Sequence, residues 1–390
     1  MKSPLRNIPF LYLIKISKWF NLVMPIVVLF YQDNGMGMQE IFILKSIYSV
    51  AIVVMEVPSG WMADVWGRKK TLLWGSLLGA AGFLVYSGSH LFWQFAIAEI
   101  ILGIGHSCIS GADSAMLYDS LQAEKRETDY LKQESRITSA GNFAEAFAGV
   151  AGGLLAAASL RTPFYAQLVV ASAAVPAAFL LTEPKTHARH LGISPLHFFR
   201  SVGNTLRKNH DLRVAMLFSS VTGTATLTFA WFVQPFLKEI GLPVAWFGLL
   251  WTLLNLTVAV SSVVAWKAEA WLGRQKGAFF ILGSITLGFI LSGLFVAWWG
   301  ILFLFLFYLF RGIATPVLKN YINEHTDSSM RATLLSMRDF IIRINFALTG
   351  PLLGWITDQV SLGWALATAG LLYLLLGSIA VWPWLKKVKR

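Results

Sequence analysis

The fold class predicted by this sequence is an all-α polytopic membrane protein, with twelve transmembrane helices in two pseudo-symmetric six-helix bundles. Three observations predict it. Hydrophobic residues make up 56% of the 390 residues and charged ones only 13%, about half the charge of a typical soluble domain. Apolar runs of roughly 20 residues, enough to cross a bilayer as helix, recur along the whole chain. The second half also echoes the first. A shift of 206 positions lays Gly35 on Gly241, Gly67 on Gly273, Arg68 on Arg274, Lys70 on Lys276 and Gly82 on Gly288.

Taken in order, spans are expected near ~8–32, ~37–62, ~70–89, ~91–118, ~136–158 and ~164–182, and then near ~212–237, ~244–266, ~277–298, ~300–324, ~336–358 and ~362–384. The first contains Lys15 and Lys18 and has no cleavage site, so it reads as a retained helix and not as a signal peptide. Glu183 to Asp211 is the one long polar stretch, broken by Pro184, Gly192 and Pro195. It divides the chain into bundles at 1–182 and 212–390 with a linker at 183–211. Tryptophans such as Trp61, Trp66, Trp93, Trp382 and Trp384 fall near segment ends, where amphipathic rings favour the headgroup region.

The net charge of +12 is a topology signal and gives no reason to expect nucleic acid. Most Lys and Arg lie at the N-terminus, in alternate loops and in Lys386-Lys387-Val388-Lys389-Arg390, whereas only Arg161 and Lys238 lie in the opposite loops. By the positive-inside rule both termini are expected in the cytoplasm. The lone Cys108 excludes an intrachain disulfide and a thiolate metal cluster. No phosphate-binding loop, H-E-x-x-H, C-x-x-C or G-x-S-x-G is present, so neither ATP hydrolysis nor another enzymatic activity is expected, and no cofactor or metal. His187-Ala188-Arg189-His190 reads as a solvated basic loop before it reads as a metal site.

Between the second and third spans stands Gly60-Trp61-Met62-Ala63-Asp64-Val65-Trp66-Gly67-Arg68-Lys69-Lys70. This resembles the signature G-x-x-A-D-x-x-G-R-K-K of the major facilitator superfamily, five residue types at fixed spacing and at the same place in the chain. Glu56-Val57-Pro58-Ser59-Gly60 and Arg331-Ala332-Thr333-Leu334-Leu335-Ser336 also resemble segments of bacterial members, so the likeness runs through the chain. It implies a secondary transporter working by alternating access between two parallel repeats. It also implies that Asp64, Arg68 and Asp119 latch the cytoplasmic side shut; a plain loop of solvated charges is the alternative. Asp64 is expected at the start of the third helix, where free N–H groups favour a carboxylate, while Gly60 and Gly67 allow the turn. Ala270 stands where a second Asp64 would be, so the repeat of the hinge reads as degraded.

Ionisable groups inside a bilayer cost several kcal/mol unless paired or hydrated, so each is a candidate. Glu99, His106 and Asp113 recur every seven residues on the fourth span. Many proton-coupled relatives carry R-x-x-x-G-x-G here. This chain has Glu99-Ile100-Ile101-Leu102-Gly103-Ile104-Gly105, so the arginine's role cannot be carried over. Glu99 and His106 are proton-coupling candidates with Asp113 and Glu145, or Glu99 forms a static ion pair with Arg311 or Lys15. Glu145 has Arg343 as a possible partner. The resemblance implies a path lined by the first, fourth, seventh and tenth spans, which offer Lys15, then Thr222, Thr226 and Gln234, then Tyr308, Arg311, Thr315 and Lys319. Asp113 and Lys319 are related by the repeat shift and are expected either to meet when the cytoplasmic gate closes or to pair within their own halves, Asp113 with Lys15 or Lys18.

The fifth span, with Gly141, Gly149, Gly152 and Gly153, matches the glycine-rich antiporter motif only in part. Taken together, bases slightly outnumber acids in the cavity region. The expected protein is a proton-coupled transporter of a small organic solute, leaning towards efflux of a drug or metabolite. Import of an anionic metabolite or metal chelate is the alternative, and a non-transporting receptor or scaffold the alternative of another class. The setting expected is the bacterial inner membrane, as a monomer, with protons, membrane lipids and the solute as partners.

Overall fold

The computed structural model describes residues 4–184, 195–326 and 330–386. Among these the secondary structure is helical throughout, in fourteen α-helices: α1 (Asn7–Trp19), α2 (Val27–Asp33), α3 (Met38–Val65), α4 (Arg68–Gly88), α5 (Phe92–Gln122), α6 (Tyr130–Ala158), α7 (Thr162–Leu180), α8 (Pro195–Lys208), α9 (His210–Glu239), α10 (Ala245–Val263), α11 (Ala265–Leu294), α12 (Ile301–Glu324), α13 (Arg331–Gln359) and α14 (Leu362–Lys386). Ten are long and apolar enough to cross a membrane. The two other expected segments are α1 with α2, and α6. Large apolar side chains face outward, Trp271, Phe147 and Phe143 among them at 85%, 76% and 75% exposure. A water-soluble protein would cover so much apolar surface, whereas a bilayer solvates it.

Three expectations need correcting. The first span is not one helix, because the chain turns between Trp19 and Val27. The turn is packed from both sides: Leu22 N–H donates to Gln167 Oε1 at 2.8 Å, and a Cβ on Gly152 would lie 1.9 Å from the Leu22 carbonyl oxygen. The linker is not wholly irregular, since α8 begins at Pro195, where the missing N–H and fixed φ of proline suit a first helical turn. Asp64 lies in the last turn of α3 and not at the start of the next helix. The notable basic tail from Lys387 and the His187–His190 segment lie outside the described residues.

Two compact units are distinguished. One comprises Met1–Gly35, Ile47–Ile193 and Val244–Thr252; the other comprises Met36–Ser46, Ser194–Pro243 and Leu253–Arg390. In the first unit α1, α4, α5 and α7 enclose a core of Leu11, Ile14, Leu72, Met116, Leu121 and Ala178. Asn7 ties the start of the chain to this core. Its amide donates to Ser120 Oγ at 2.9 Å and the Thr182 carbonyl at 2.8 Å, while its own carbonyl accepts from Thr182 N–H. Also in this unit, Gly149 and Gly153 of α6 meet the backbone of Gly248 on α10 so closely that an added Cβ would overlap it or Thr252. The glycine run therefore serves close helix approach.

In the second unit the first turn of α3 packs on α13. Asp358 accepts from Met38 N–H at 2.7 Å and Gln39 N–H at 2.8 Å, satisfying donors that a helix start leaves free. Gly354 leaves room for this backbone, its Cβ position being 2.6 Å from the Met38 carbonyl oxygen.

Backbone geometry supports the repeat. The positive-φ glycines among the described residues are Gly35 (83°), Gly67 (97°), Gly241 (75°) and Gly273 (67°), two pairs at the shift found in the sequence. Each pair marks the same corner in its half, a left-handed turn that glycine adopts without steric cost.

Candidate functional site

The first hinge is built around the start of α4. Gly67 turns the chain, and Arg68 then reaches across to α5. Its guanidinium pairs with Asp119 Oδ2 at 2.5 Å, with both side chains largely buried, and also donates to the Ala115 carbonyl. The exposed backbone donors of α4 are taken by a residue outside the signature. Glu183, just beyond α7, accepts from Arg68 N–H at 2.9 Å and Lys69 N–H at 2.8 Å. A helix N-terminus favours such a carboxylate through both free N–H groups and the dipole. The role expected of Asp64 is thus filled by Glu183. Gly60 and Asp64 sit on the last turns of α3, Gly60 exposed and Asp64 partly buried.

The second hinge is more complete than its sequence suggests. Arg274 follows Gly273 as Arg68 follows Gly67, and pairs with Glu324 at 2.7 Å at the end of α12. It also donates to His325 Nε2 at 3.1 Å, while His325 Nδ1 lies 2.8 Å from the Tyr321 carbonyl oxygen. Nδ1 therefore carries the proton and Nε2 accepts, because a carbonyl cannot donate. The missing Asp64 equivalent does not abolish the arginine–acid pair. Beside it a cleft of about 550 Å³ is lined by Asp211, Glu269, Arg274, Lys276, Glu324 and Trp384 among others.

Glu99, His106 and Asp113, the stripe expected on α5, have separate partners. Glu99 is 2% exposed; its Oε1 accepts from the phenols of Tyr31 on α2 at 2.5 Å and Tyr86 on α4 at 2.7 Å, and the two hydroxyls touch each other. Phe95, Phe30 and Phe164 pack around these rings. His106 Nδ1 meets Tyr48 Oη of α3 at 3.2 Å. Asp113 pairs with Lys15 of α1 at 3.1 Å, one of the two within-half pairings considered for it. Ser114 alongside donates to Glu134 at 2.9 Å. Seven residues of helix rise about 10 Å, so protons cannot pass directly between members of this stripe.

On α9, Thr222, Thr226 and Gln234 are all buried. On α12, Tyr308 is fully buried and the Arg311 guanidinium stands 5.2 Å from its ring centroid. Thr315 donates back to the Arg311 carbonyl at 2.9 Å, and Lys319 is exposed. Glu145 on α6 and Arg343 on α13 are each partly buried. Arg338 is a further buried charge, held by Ser219 Oγ at 2.6 Å and Asp339 at 2.8 Å.

Glu183, Tyr31 and Tyr86 were not singled out in the sequence. Glu183 opens a polar run that reads as linker, and a tyrosine in an apolar span looks like core. The available signal was the lone carboxylate at Glu99, which requires donors from whichever helices surround it.

The fold defines an all-α polytopic membrane protein. The model of the Major Facilitator Superfamily matches residues 14–337, and the chain belongs to that family. It is 30% identical over 63 residues to Myo-inositol transporter 1 of Saccharomyces cerevisiae, covering 16% of this chain and 11% of that protein. It is likewise 30% identical over 81 residues to the Alpha-ketoglutarate permease of Bacillus subtilis, covering 20% and 19%. The chain thus spans well under a quarter of the length of either relative. Among solved structures, the nucleoside transporter NupG superposes with a TM-score of 0.79 at 15% identity over 100% of both chains. The D-xylose-proton symporter gives 0.70 at 12% identity over 96% of each. At those identities the structural likeness establishes the fold alone.

Proposed function

We propose that this protein is a secondary transporter that moves a small organic solute by alternating access, coupled to protons through Glu99. The observation that carries the reading is the Glu99 carboxyl, buried among aromatic rings and held by two phenols from two other helices. A carboxylate there depends on those donors, because an ion in an apolar shell is costly without them. A rearrangement that withdraws α2 or α4 from α5 leaves the negative charge less well held and favours proton uptake. Restoring the donors favours release. The two hinges, each with its arginine–acid pair, serve as the latches of that rearrangement at the cytoplasmic face, in a bacterial inner membrane with both termini inside.

The sequence's pointer to export was the glycine run of α6, which here packs on α10, so no direction is attached to it. The relatives' names, from an inositol to an α-keto acid, do not choose a solute either.

The test is proton flux in liposomes with wild type, Glu99→Gln and the Tyr31→Phe/Tyr86→Phe double variant, against polyols, sugars, nucleosides and dicarboxylates. Solute-triggered proton movement in wild type, absent in Glu99→Gln and weakened in the tyrosine variant, is expected. Undiminished proton movement in Glu99→Gln refutes the assignment, and solute movement without protons refutes the coupling.

A further inference from the structure

The two halves hold their hinge arginines differently, and the difference is one titratable ring. The repeat shift of 206 that lays Arg68 on Arg274 also lays Asp119 on His325 and Tyr118 on Glu324. Arg68 meets the Asp119 carboxylate at 2.5 Å. Arg274 meets an imidazole at the matching position, Nη1 to His325 Nε2 at 3.1 Å, and takes its acid from the residue before, Nη2 to Glu324 Oε2 at 2.7 Å. A guanidinium can only donate, so the imidazole contact exists only while Nε2 keeps its lone pair. The Tyr321 carbonyl, 2.8 Å from Nδ1, holds the ring's one proton on the far nitrogen.

The second ion pair is also the weaker one. The Arg274 and Glu324 side chains are 36% and 40% exposed, and water leaves such a pair little net value. Those of Arg68 and Asp119 are 16% and 8% exposed. The bond to His325 is therefore a substantial part of what fixes Arg274 at the end of α12.

Charged groups surround the ring from several helices. α11 brings Arg274, Glu269 and Lys276, α9 brings Asp211 and α12 its own Glu324, all lining the cleft beside the hinge, where α14 contributes only Trp384. His210 of α9 stands 3.5 Å from Asp211, and the Tyr321 ring centroid lies 5.5 Å from the Arg274 guanidinium. On α13, Arg331 is exposed and Arg338 is taken by Ser219 and Asp339. Arg274 and Lys276 oppose a proton on the ring, while three carboxylates supply counter-charge for one. A protonated ring loses its bond to Arg274 and competes with it for Glu324.

We infer that His325 makes the second hinge a proton-sensitive tie: the neutral ring holds Arg274, and proton uptake at Nε2 releases it. Histidine ordinarily changes charge between about pH 5 and 8, aspartate at about pH 4, so the first hinge lacks this response. The released form binds one proton more than the tied form, so the tie is strongest at high pH and weakens as pH falls. In the transport reading, cytoplasmic acidification then frees the second hinge before the first. The contact itself lies within the second unit and stands apart from that reading, as does its test.

Amide hydrogen exchange of the purified full chain is followed at residues 272–277 and 320–326 between about pH 8 and 5.5, each rate divided by the intrinsic rate at that pH. Wild type is compared with His325→Gln, which offers a non-titrating acceptor, and His325→Asp, which installs the acid of the first hinge. Both variants are first shown to melt cooperatively at high pH. Wild type should lose protection about 2- to 10-fold on acidification, the worth of one hydrogen bond, and both variants should stay level. Level protection in wild type overturns the inference. So does an equal loss in the variants, which would put the proton on His210 or a carboxylate, and so does a matching loss at residues 66–72. Nitrogen NMR of histidine-labelled wild type gives a reading free of any variant's folding, with the His325 signals assigned by their absence from His325→Gln. A bare Nε2 at high pH that gains its proton as the exchange rises is expected, and a proton already on Nε2 at high pH would refute the tie.

Discussion

Removing the Glu183 carboxylate should loosen one end of α4 and little else. The structure gives it two charge-assisted hydrogen bonds, 2.9 Å from Arg68 N–H and 2.8 Å from Lys69 N–H. Loss of a side-chain acceptor at a helix start costs about 1–2 kcal/mol, and the charge–dipole part alone is about 0.3–1 kcal/mol. Glu183→Ala loses both contributions, whereas Glu183→Gln keeps an acceptor oxygen and should lose mainly the charge. An increment of about 1–2 kcal/mol corresponds to a 5- to 30-fold change in a local opening equilibrium. Amide hydrogen exchange across residues 66–72 reads this directly. Glu183→Ala should exchange roughly 5- to 30-fold faster at Arg68 and Lys69, with Glu183→Gln in between and the middle of α5 unchanged. Unaltered exchange at these two amides in Glu183→Ala would show that the cap carries no weight and refute the reasoning.

Other perturbations discriminate further features. Gly67→Ala and Gly273→Ala each force a side chain into the left-handed region at a cost of about 1–2 kcal/mol. Only at Gly67 would the new Cβ also crowd Glu183, at 3.0 Å, so its melting temperature should fall further, and the opposite order counts against this account. Gly152→Ala sets a Cβ 1.9 Å from the Leu22 carbonyl oxygen, whereas Gly79 has nothing within 4 Å. Folded yield in membranes should drop for Gly152→Ala and hold for Gly79→Ala, and normal yield of the former would show that the α1–α2 turn is not tightly held. The Lys15–Asp113 side chains are 13% and 8% exposed, so removing one partner should cost about 3–5 kcal/mol. The double variant Lys15→Met/Asp113→Leu should then be less destabilised than either single variant by unfolding, and simple additivity would deny the pair.

The sequence made the fold legible because the bilayer demands long apolar helices, and hydropathy reports these without tertiary knowledge. The hinge was legible for a different reason. Gly67, Arg68 and the acid at Asp119 form a local turn plus one partner at the end of the next span but one. Glu183 escaped because capping depends on where α7 ends in space, which no spacing encodes. The break at Phe20–Ile26 escaped because its causes, Gln167 and Gly152, lie on α7 and α6. The α5 stripe was visible as a pattern, yet helical period says only that Glu99, His106 and Asp113 share a face. Which helix meets each of them is a property of packing, and it gave them three different partners. The second hinge was judged from one missing aspartate, although its arginine–acid pair needs only Arg274 and Glu324.

The ties of the first helix also bear on how the protein is made. Lys15 finds its carboxylate 98 residues later, and Asn7 bonds to Thr182, 175 residues on. A ribosome therefore delivers α1 to the membrane with an ammonium whose partner has not been synthesised. Leaving that charge alone in hydrocarbon would cost several kcal/mol, so α1 must wait beside water or the insertion machinery until α5 emerges. Its amino end stays loose until α7 is complete. The helix α1 thus settles only after segments translated later than itself, and truncating nascent chains before and after Asp113 should show it changing from extractable to embedded.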